Sequence, residues 1–208
     1  MKNGLFITLE GPDGSGKSTQ IERIRTFFQQ RGEKVVLTRE PGGTAISEKI
    51  RTIILDKENR EMDAMTEALL YAASRAQHVA QVIRPALERG EHVICDRFID
   101  SSIAYQGYGR GLGDCVSIIN AYAVRDCIPD ITFLLKLDPG IGKGRIGQEA
   151  QDRIEMEALD FHNRVFHGYE ELELQFPDRI VGIDASGDIE EISREILGHI
   201  ERLLKNEL

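Results

Sequence analysis

The segment Gly11-Pro12-Asp13-Gly14-Ser15-Gly16-Lys17-Ser18 has the form Gly-x4-Gly-Lys-Ser; a short β-rich run at residues 5–9 precedes it, and Ile21, Ile24 and Phe28 follow at helical spacing until Gly32. Strand, glycine-rich loop and helix in that order make a P-loop. Its glycines let backbone N–H groups close around phosphates at a helix N-terminus, Lys17 brings a positive charge to them, and the Ser18 hydroxyl is available to Mg²⁺. A glycine-rich turn that only caps a helix lacks this context. The expectation is a site for a nucleoside triphosphate, formed by Gly11, Pro12, Asp13, Gly14, Ser15, Gly16, Lys17, Ser18 and Thr19.

The rest of the chain repeats the pattern. Strands are predicted at 35–38, 92–95 and 131–137, with helical patterns through Ile46, Ile50, Ile53 and Ile54, over about 65–87 with Pro85 near the end, and from about 102 with a break at 107–113. A helix, a strand and a helix finish the chain. Such alternation predicts an α/β fold of the P-loop NTPase type: a parallel sheet with helices on both faces, and ligands outside the carboxyl ends of the strands. The 208 residues, 41% of them hydrophobic, suit a single domain over 1–208. The glycine-rich, charged stretch at about 139–153 is expected to be a mobile lid.

Composition narrows the function. A net charge of −9 argues against binding polymeric nucleic acid, which rests on a basic surface. Cys95, Cys115 and Cys127 are odd in number and form no Cys-x-x-Cys pair, so neither a disulfide framework nor a zinc site is expected. A reducing cytoplasm fits, and no signal segment or run long enough to span a membrane is seen.

Further candidates fall at predicted strand ends. Asp96 closes an apolar strand, where P-loop proteins keep a carboxylate for Mg²⁺, and Arg97 beside it is a candidate phosphate clamp; a helix-capping Asp with a solvated Arg is the other reading. Arg39 and Glu40 precede Pro41-Gly42-Gly43-Thr44, a loop suited to shaping a second ligand site. Tyr71 and Arg75 stand four apart on one helix face and suit a planar ligand, though on local sequence alone an ordinary packing pair is the stronger reading. Tyr105 and Gln106 have the same status.

Taken together, Leu9-Glu10-Gly11-Pro12-Asp13-Gly14-Ser15-Gly16-Lys17-Ser18-Thr19, Thr38-Arg39-Glu40-Pro41-Gly42-Gly43-Thr44, Ala72-Ala73-Ser74-Arg75, Asp96-Arg97-Phe98, Asp100-Ser101-Ser102-Ile103-Ala104-Tyr105-Gln106-Gly107 and Asp152-Arg153-Ile154-Glu155 resemble the bacterial thymidylate kinases over nearly the whole chain. The resemblance implies a homodimeric cytoplasmic enzyme that uses ATP and Mg²⁺ to phosphorylate dTMP to dTDP. It implies that Tyr71 stacks on thymine, Arg75 bonds the base, and Arg97 holds the acceptor phosphate. Ser102 and Gln106 would line the base pocket, with Tyr105 against the position of a ribose 2′-hydroxyl. Asp13 and Glu40 would lie near the sugar or metal, Arg51 near the monophosphate, and Ser18 and Asp96 at the metal. Related readings are another nucleoside monophosphate or deoxynucleoside kinase, distinguished by Tyr71, Arg75 and Tyr105, and a nucleotide-binding switch without transfer.

The chemistry itself needs no nucleophilic side chain. A phosphate monoester has a second pKa of about 6, so at neutral pH the acceptor is already an anion. Catalysis reduces to aligning two polyanions and neutralising their charge, work for Lys17, Mg²⁺ and arginines. The eukaryotic branch of the family carries an Arg inside the P-loop where this chain has Gly14, so the catalytic Arg is expected from the lid. There only Lys143, Arg145 and Arg153 are basic, and Arg153, then Arg145, is expected to be the transition-state charge partner.

Overall fold

A computed structural model describes residues 4–145 and 152–206. Five parallel strands, β1 (Phe6–Glu10), β2 (Val35–Arg39), β3 (His92–Asp96), β4 (Ile131–Lys136) and β5 (Ile180–Asp184), form one sheet in the order β2-β3-β1-β4-β5. Strand β1 is central: Leu9 pairs with Asp96 of β3 and with Phe133 of β4. The sequence-predicted architecture is present, with strand positions shifted by no more than a residue or so.

Alternation along β1 divides the core. Leu5, Ile7 and Leu9 face Ile21, Ile24 and Phe28 of α1 (Lys17–Gln30) and Ile192, Ile196 and Ile200 of α9 (Ile189–Asn206). On the other face Phe6, Val93 and Cys95 pack with Val79, Ile83, Ala86 and Phe98, while Leu134 and Ile180 pack with Tyr105, Phe161, Val165 and Tyr169. That second face carries the helices that line the site.

The long helical pattern of the sequence is α3 (Ala64–His78), a π-helical stretch (Val79–Ile83) and α4 (Arg84–Glu88). Pro85 has no N–H to donate back along the helix, and the turn before it widens so that the Arg84 N–H bonds the Val79 carbonyl, five residues back. A second wide stretch, Ile103–Gly109, follows α5 (Ile99–Ser102) and precedes α6 (Cys115–Val124); it presents Tyr105 and Gln106. Helix α2 (Ala45–Leu55) is capped by the Thr44 side chain on the Ser47 N–H. Helix α7 (Pro139–Arg145) falls within the stretch expected to be a lid, 139–153, and α8 (Leu159–Gln175) follows that stretch; residues 146–151 lie outside the described residues.

Candidate active site

The carboxyl ends of β1, β2 and β3 open onto one cleft. Asp13, Lys17, Glu40, Arg51, Tyr71, Arg75, Asp96, Arg97, Ser102, Tyr105 and Gln106 all line it. Residues 13 to 106 of the chain thus converge on a single cavity at the end of the sheet where an α/β fold places its ligand.

At the P-loop end, Gly11 has φ +125°, and a Cβ there would stand 2.4 Å from the Leu135 carbonyl oxygen, so only glycine lets β1 turn so close to β4. Gly16 caps α1 in the left-handed region without any side-chain cap, leaving the first N–H groups of the helix directed at the loop. Lys17 is 7% exposed, and its ammonium donates to the Gly11 and Pro12 carbonyls at 3.1 and 2.9 Å. Burial, then the nearby Arg97 charge, pushes its pKa down from 10.5 to about 8, against the opposing pull of Asp13, Asp96 and Glu10. The buried Ser15 hydroxyl has no partner among the described residues.

Arg97 sits at the joint of the cleft. Its φ of +65° is rare for a residue with a side chain, costing about 1–2 kcal/mol, and its N–H is held by the Leu9 carbonyl at 2.9 Å. The guanidinium donates to Asp13 Oδ1 at 2.8 Å, to Tyr169 Oη at 3.2 Å and to Ser101 Oγ at 3.3 Å, and lies 5.3 Å from the Tyr105 ring centre. Burial raises the Asp13 pKa, but the charges of Arg97 and Lys17 outweigh it and hold the carboxyl well below its ordinary range. Glu10, fully buried, fixes the backbone after Arg97 by accepting from the Phe98 N–H at 2.7 Å and from Tyr169 Oη at 2.9 Å. Burial, with the Asp100 charge, pushes the Glu10 pKa up.

At the other end, Arg75 is 1% exposed and bound on several sides. It donates to Glu40 Oε2 at 2.7 Å, Ser102 Oγ at 2.9 Å, the Phe98 carbonyl at 2.9 Å and Asn120 Oδ1. Among the described residues those acceptors take four of its five N–H bonds and leave one on Nη2. Glu40 in turn holds His78 Nδ1 at 2.8 Å, and His78 Nε2 meets Thr38 Oγ1 at 2.6 Å. The Glu40–Pro41 peptide bond is cis. Burial, then the Glu67 charge, pushes the neighbouring Tyr71 hydroxyl far up, so it is a neutral phenol at all working pH values.

Arg153, the first-choice charge partner expected from the lid, stands outside the cleft in this structure. Its guanidinium donates to Glu67 Oε2 at 2.6 Å and to the Ile54 carbonyl at 2.8 Å, and it does not line the cleft. A fully buried carboxylate at Glu67 draws it away from the P-loop. For Arg145 the structure gives only its place at the end of α7, whose backbone rests on the P-loop: a Cβ on Gly142 would stand 2.5 Å from the Asp13 carbonyl oxygen, and one on Gly14 2.6 Å from the Gly142 carbonyl oxygen. Gly14 therefore matters here for contact as well as for what it replaces.

Residues 9–196 match the family model described as Thymidylate kinase. The chain belongs to the thymidylate kinase family. It is 50% identical over 205 residues to a thymidylate kinase of Bacillus cytotoxicus, covering 97% of this chain and 99% of that one. To a thymidylate kinase of Bacillus cereus it is 50% identical over 202 residues, covering 95% and 97%. A crystal structure of thymidylate kinase from Ehrlichia chaffeensis superposes with a TM-score of 0.77 at 35% identity, over 96% of this chain and 99% of that one.

Some members of the site fall within the recognised motifs, Arg75 and Asp100 among them, while Glu67, His78, Arg110, Asn120 and Tyr169 lie outside them. Glu67, Tyr71, Arg75 and His78 follow one another at spacings of four, four and three on the buried face of α3, a polar stripe where an ordinary helix would be apolar. Asn120, Arg110, Tyr169 and the Asp100–Arg179 pair, bridged at 2.7 and 2.8 Å, have no local signature.

Proposed function

We propose that this chain transfers the γ-phosphoryl group of ATP to dTMP, giving dTDP, and that the cleft between Lys17 and Gln106 is where the two nucleotides meet. The observation that carries this reading is the convergence of the P-loop lysine with an independently inferred acceptor set in one cavity. ATP lies with its phosphates on the P-loop, where Lys17 exchanges its two carbonyl partners for phosphate oxygens and the lone Ser15 hydroxyl gains one. The phosphate charge also favours the ammonium form of Lys17, which burial disfavours.

The donor set suits Mg²⁺. Asp96 lines the cleft, and its Oδ1 is buried with no hydrogen bond among the described residues, while Ser18 is exposed on the first turn of α1. When bound, Mg²⁺ would neutralise phosphate charge, and Asp96 and Ser18 are the groups that would hold it.

The acceptor enters from the other end. Tyr71 offers a face to thymine, and Arg75, Ser102 and Gln106 bond its edge. Tyr105 closes the space at the sugar, with Asp13 and Glu40 nearby, and Arg97 and Arg51 hold the monophosphate. Arg97 is already swung over the P-loop by Asp13, so the acceptor oxygen is aligned with the donor phosphorus by a group preset in position. Of the lid arginines, Arg145 is the one proposed to meet the transferring group, because its helix rests on the P-loop. We further propose a single domain with a lid over 139–153, a cytoplasmic location and a homodimer. Exposed Leu69, Ile118 and Tyr122 on α3 and α6 support the dimer, and no helix among the described residues is long and apolar enough to cross a membrane.

The test is the rate of ADP release with ATP, Mg²⁺ and each of a panel of nucleoside monophosphates. The highest kcat/KM is expected for dTMP; a preference for any other acceptor would overturn the assignment of the base pocket.

A further inference from the structure

We propose that Glu67 is a positioning residue that fixes the sense of the Gln106 amide, so that the cleft presents a hydrogen-bond acceptor next to the Arg75 donor and selects a base edge of the imide type. The inference deepens the thymidylate reading and rests on it.

Gln106 is 1% exposed and Glu67 is fully buried. A glutamine amide looks alike either way round, and its sense is decided by its partners. Here the partner is a carboxylate at 3.0 Å. An ionised carboxylate only accepts, so the NH₂ end of Gln106 must face Glu67 and the oxygen must face away from it. That oxygen, Oε1, is buried without a partner among the described residues, and Gln106 lines the cleft. A buried acceptor left alone is costly, and a ligand N–H recovers that cost.

Glu67 keeps its charge because two guanidiniums hold it. Arg110 donates to both of its oxygens, at 3.1 and 3.0 Å, and Arg153 donates at 2.6 Å. Burial alone would raise the carboxyl pKa, but the hydrogen bonds from Arg110, Gln106 and Arg153 outweigh it and lower it. The arginine pair thus has a purpose at the base end: it ionises the residue that orients the reader.

The resulting pair is a donor on Arg75 Nη2 and an acceptor on Gln106. Thymine offers the complement, a carbonyl beside an N–H. Cytosine offers an amino group beside a bare ring nitrogen, so both contacts become repulsive. The substrate pair that isolates this effect is dTMP against 5-methyl-dCMP, which have the same outline and opposite edges.

Steady-state kinetics with both substrates test the proposal. The folded enzyme is expected to favour dTMP by about 100-fold or more, as a site built to bond one edge rejects the other. In Glu67→Gln the new amide turns its oxygen to the arginines and its NH₂ to Gln106, which is then free to flip, and the ratio is expected to fall by about tenfold or more. Gln106→Leu, which leaves the arginine pairs in place, is expected to lower the ratio likewise, and adding Glu67→Gln to it is expected to lower the ratio no further. The proposal is overturned if Glu67→Gln leaves the ratio unchanged, if it lowers the ratio equally in the Gln106→Leu background, or if the unaltered enzyme uses the two substrates within about tenfold of each other. Should Glu67→Gln not fold, Glu67→Asp, which keeps the charge for the arginines and draws the carboxylate back from Gln106, takes its place, with the same expected fall and the same overturning result. No turnover of either substrate would instead overturn the proposed reaction.

Discussion

Removal of the Arg153 side chain separates two roles for that residue. If it is the anchor seen in the structure, Arg153→Ala takes one cation from the fully buried Glu67 and one donor from the Ile54 carbonyl. Stripping a buried ion of its only partner costs about 3–5 kcal/mol. Glu67 retains Arg110 on both oxygens, so less than half of that is lost, and the unpaired Ile54 carbonyl adds about 1 kcal/mol. The sum is about 2–3 kcal/mol. For a chain of this size that lowers Tm by roughly 5–10 °C. Thermal unfolding followed by circular dichroism measures it, and steady-state kinetics on the same preparation should show kcat within about tenfold of the unaltered enzyme and a raised KM for dTMP. A Tm unchanged within about 2 °C together with a kcat about 100-fold lower would refute the reasoning. Arg153 would then leave Glu67 in the reacting complex and act on the phosphoryl group after all.

Two further outcomes are expected. Lys17 has a folded-state pKa near 8 against 10.5 for a free lysine. Between those values the unfolded chain binds a proton that the folded one has released, so the ligand-free protein should gain stability from this group as pH rises through that window. ATP affinity should move the opposite way and weaken above about pH 8. Urea unfolding and titration calorimetry from pH 7 to about 10 check both signs, and Lys17→Met should flatten both curves. Tyr105→Ala opens the sugar end of the cleft, so kcat/KM for ribothymidine monophosphate relative to dTMP should rise by about tenfold; an unchanged ratio would show that the Tyr105 ring does not guard the 2′ position.

Much of this was legible in the sequence because it is local. A P-loop needs its strand, glycines and helix in one stretch, and Asp96-Arg97 announces itself by ending an apolar strand. Tyr71 and Arg75 were visible as a pair but not as a site, since a helix face alone does not say what lies opposite. Glu67, Arg110, Asn120 and His78 acquire meaning only when α3 packs against the 103–109 stretch, α6 and β2, which no local pattern encodes. Arg153 is one such case: the carboxylate that holds it in this structure is 86 residues away in the chain. Both π-helical stretches also escaped, although Pro85 is the physical cause of one. Glu10 left a trace, a charge at the end of a strand otherwise wholly apolar except for Thr8, whose hydroxyl meets that of Thr132 at 2.7 Å.

Whether donor and acceptor share one cavity is tested most directly by the fate of the phosphoryl group itself. Incubation with [γ-³²P]ATP, Mg²⁺ and dTMP, followed by separation of the nucleotides, should place the label in the β position of dTDP and nowhere else. Label released as inorganic phosphate, or retained on ATP that binds tightly in the presence of dTMP, would contradict the account and favour a nucleotide switch.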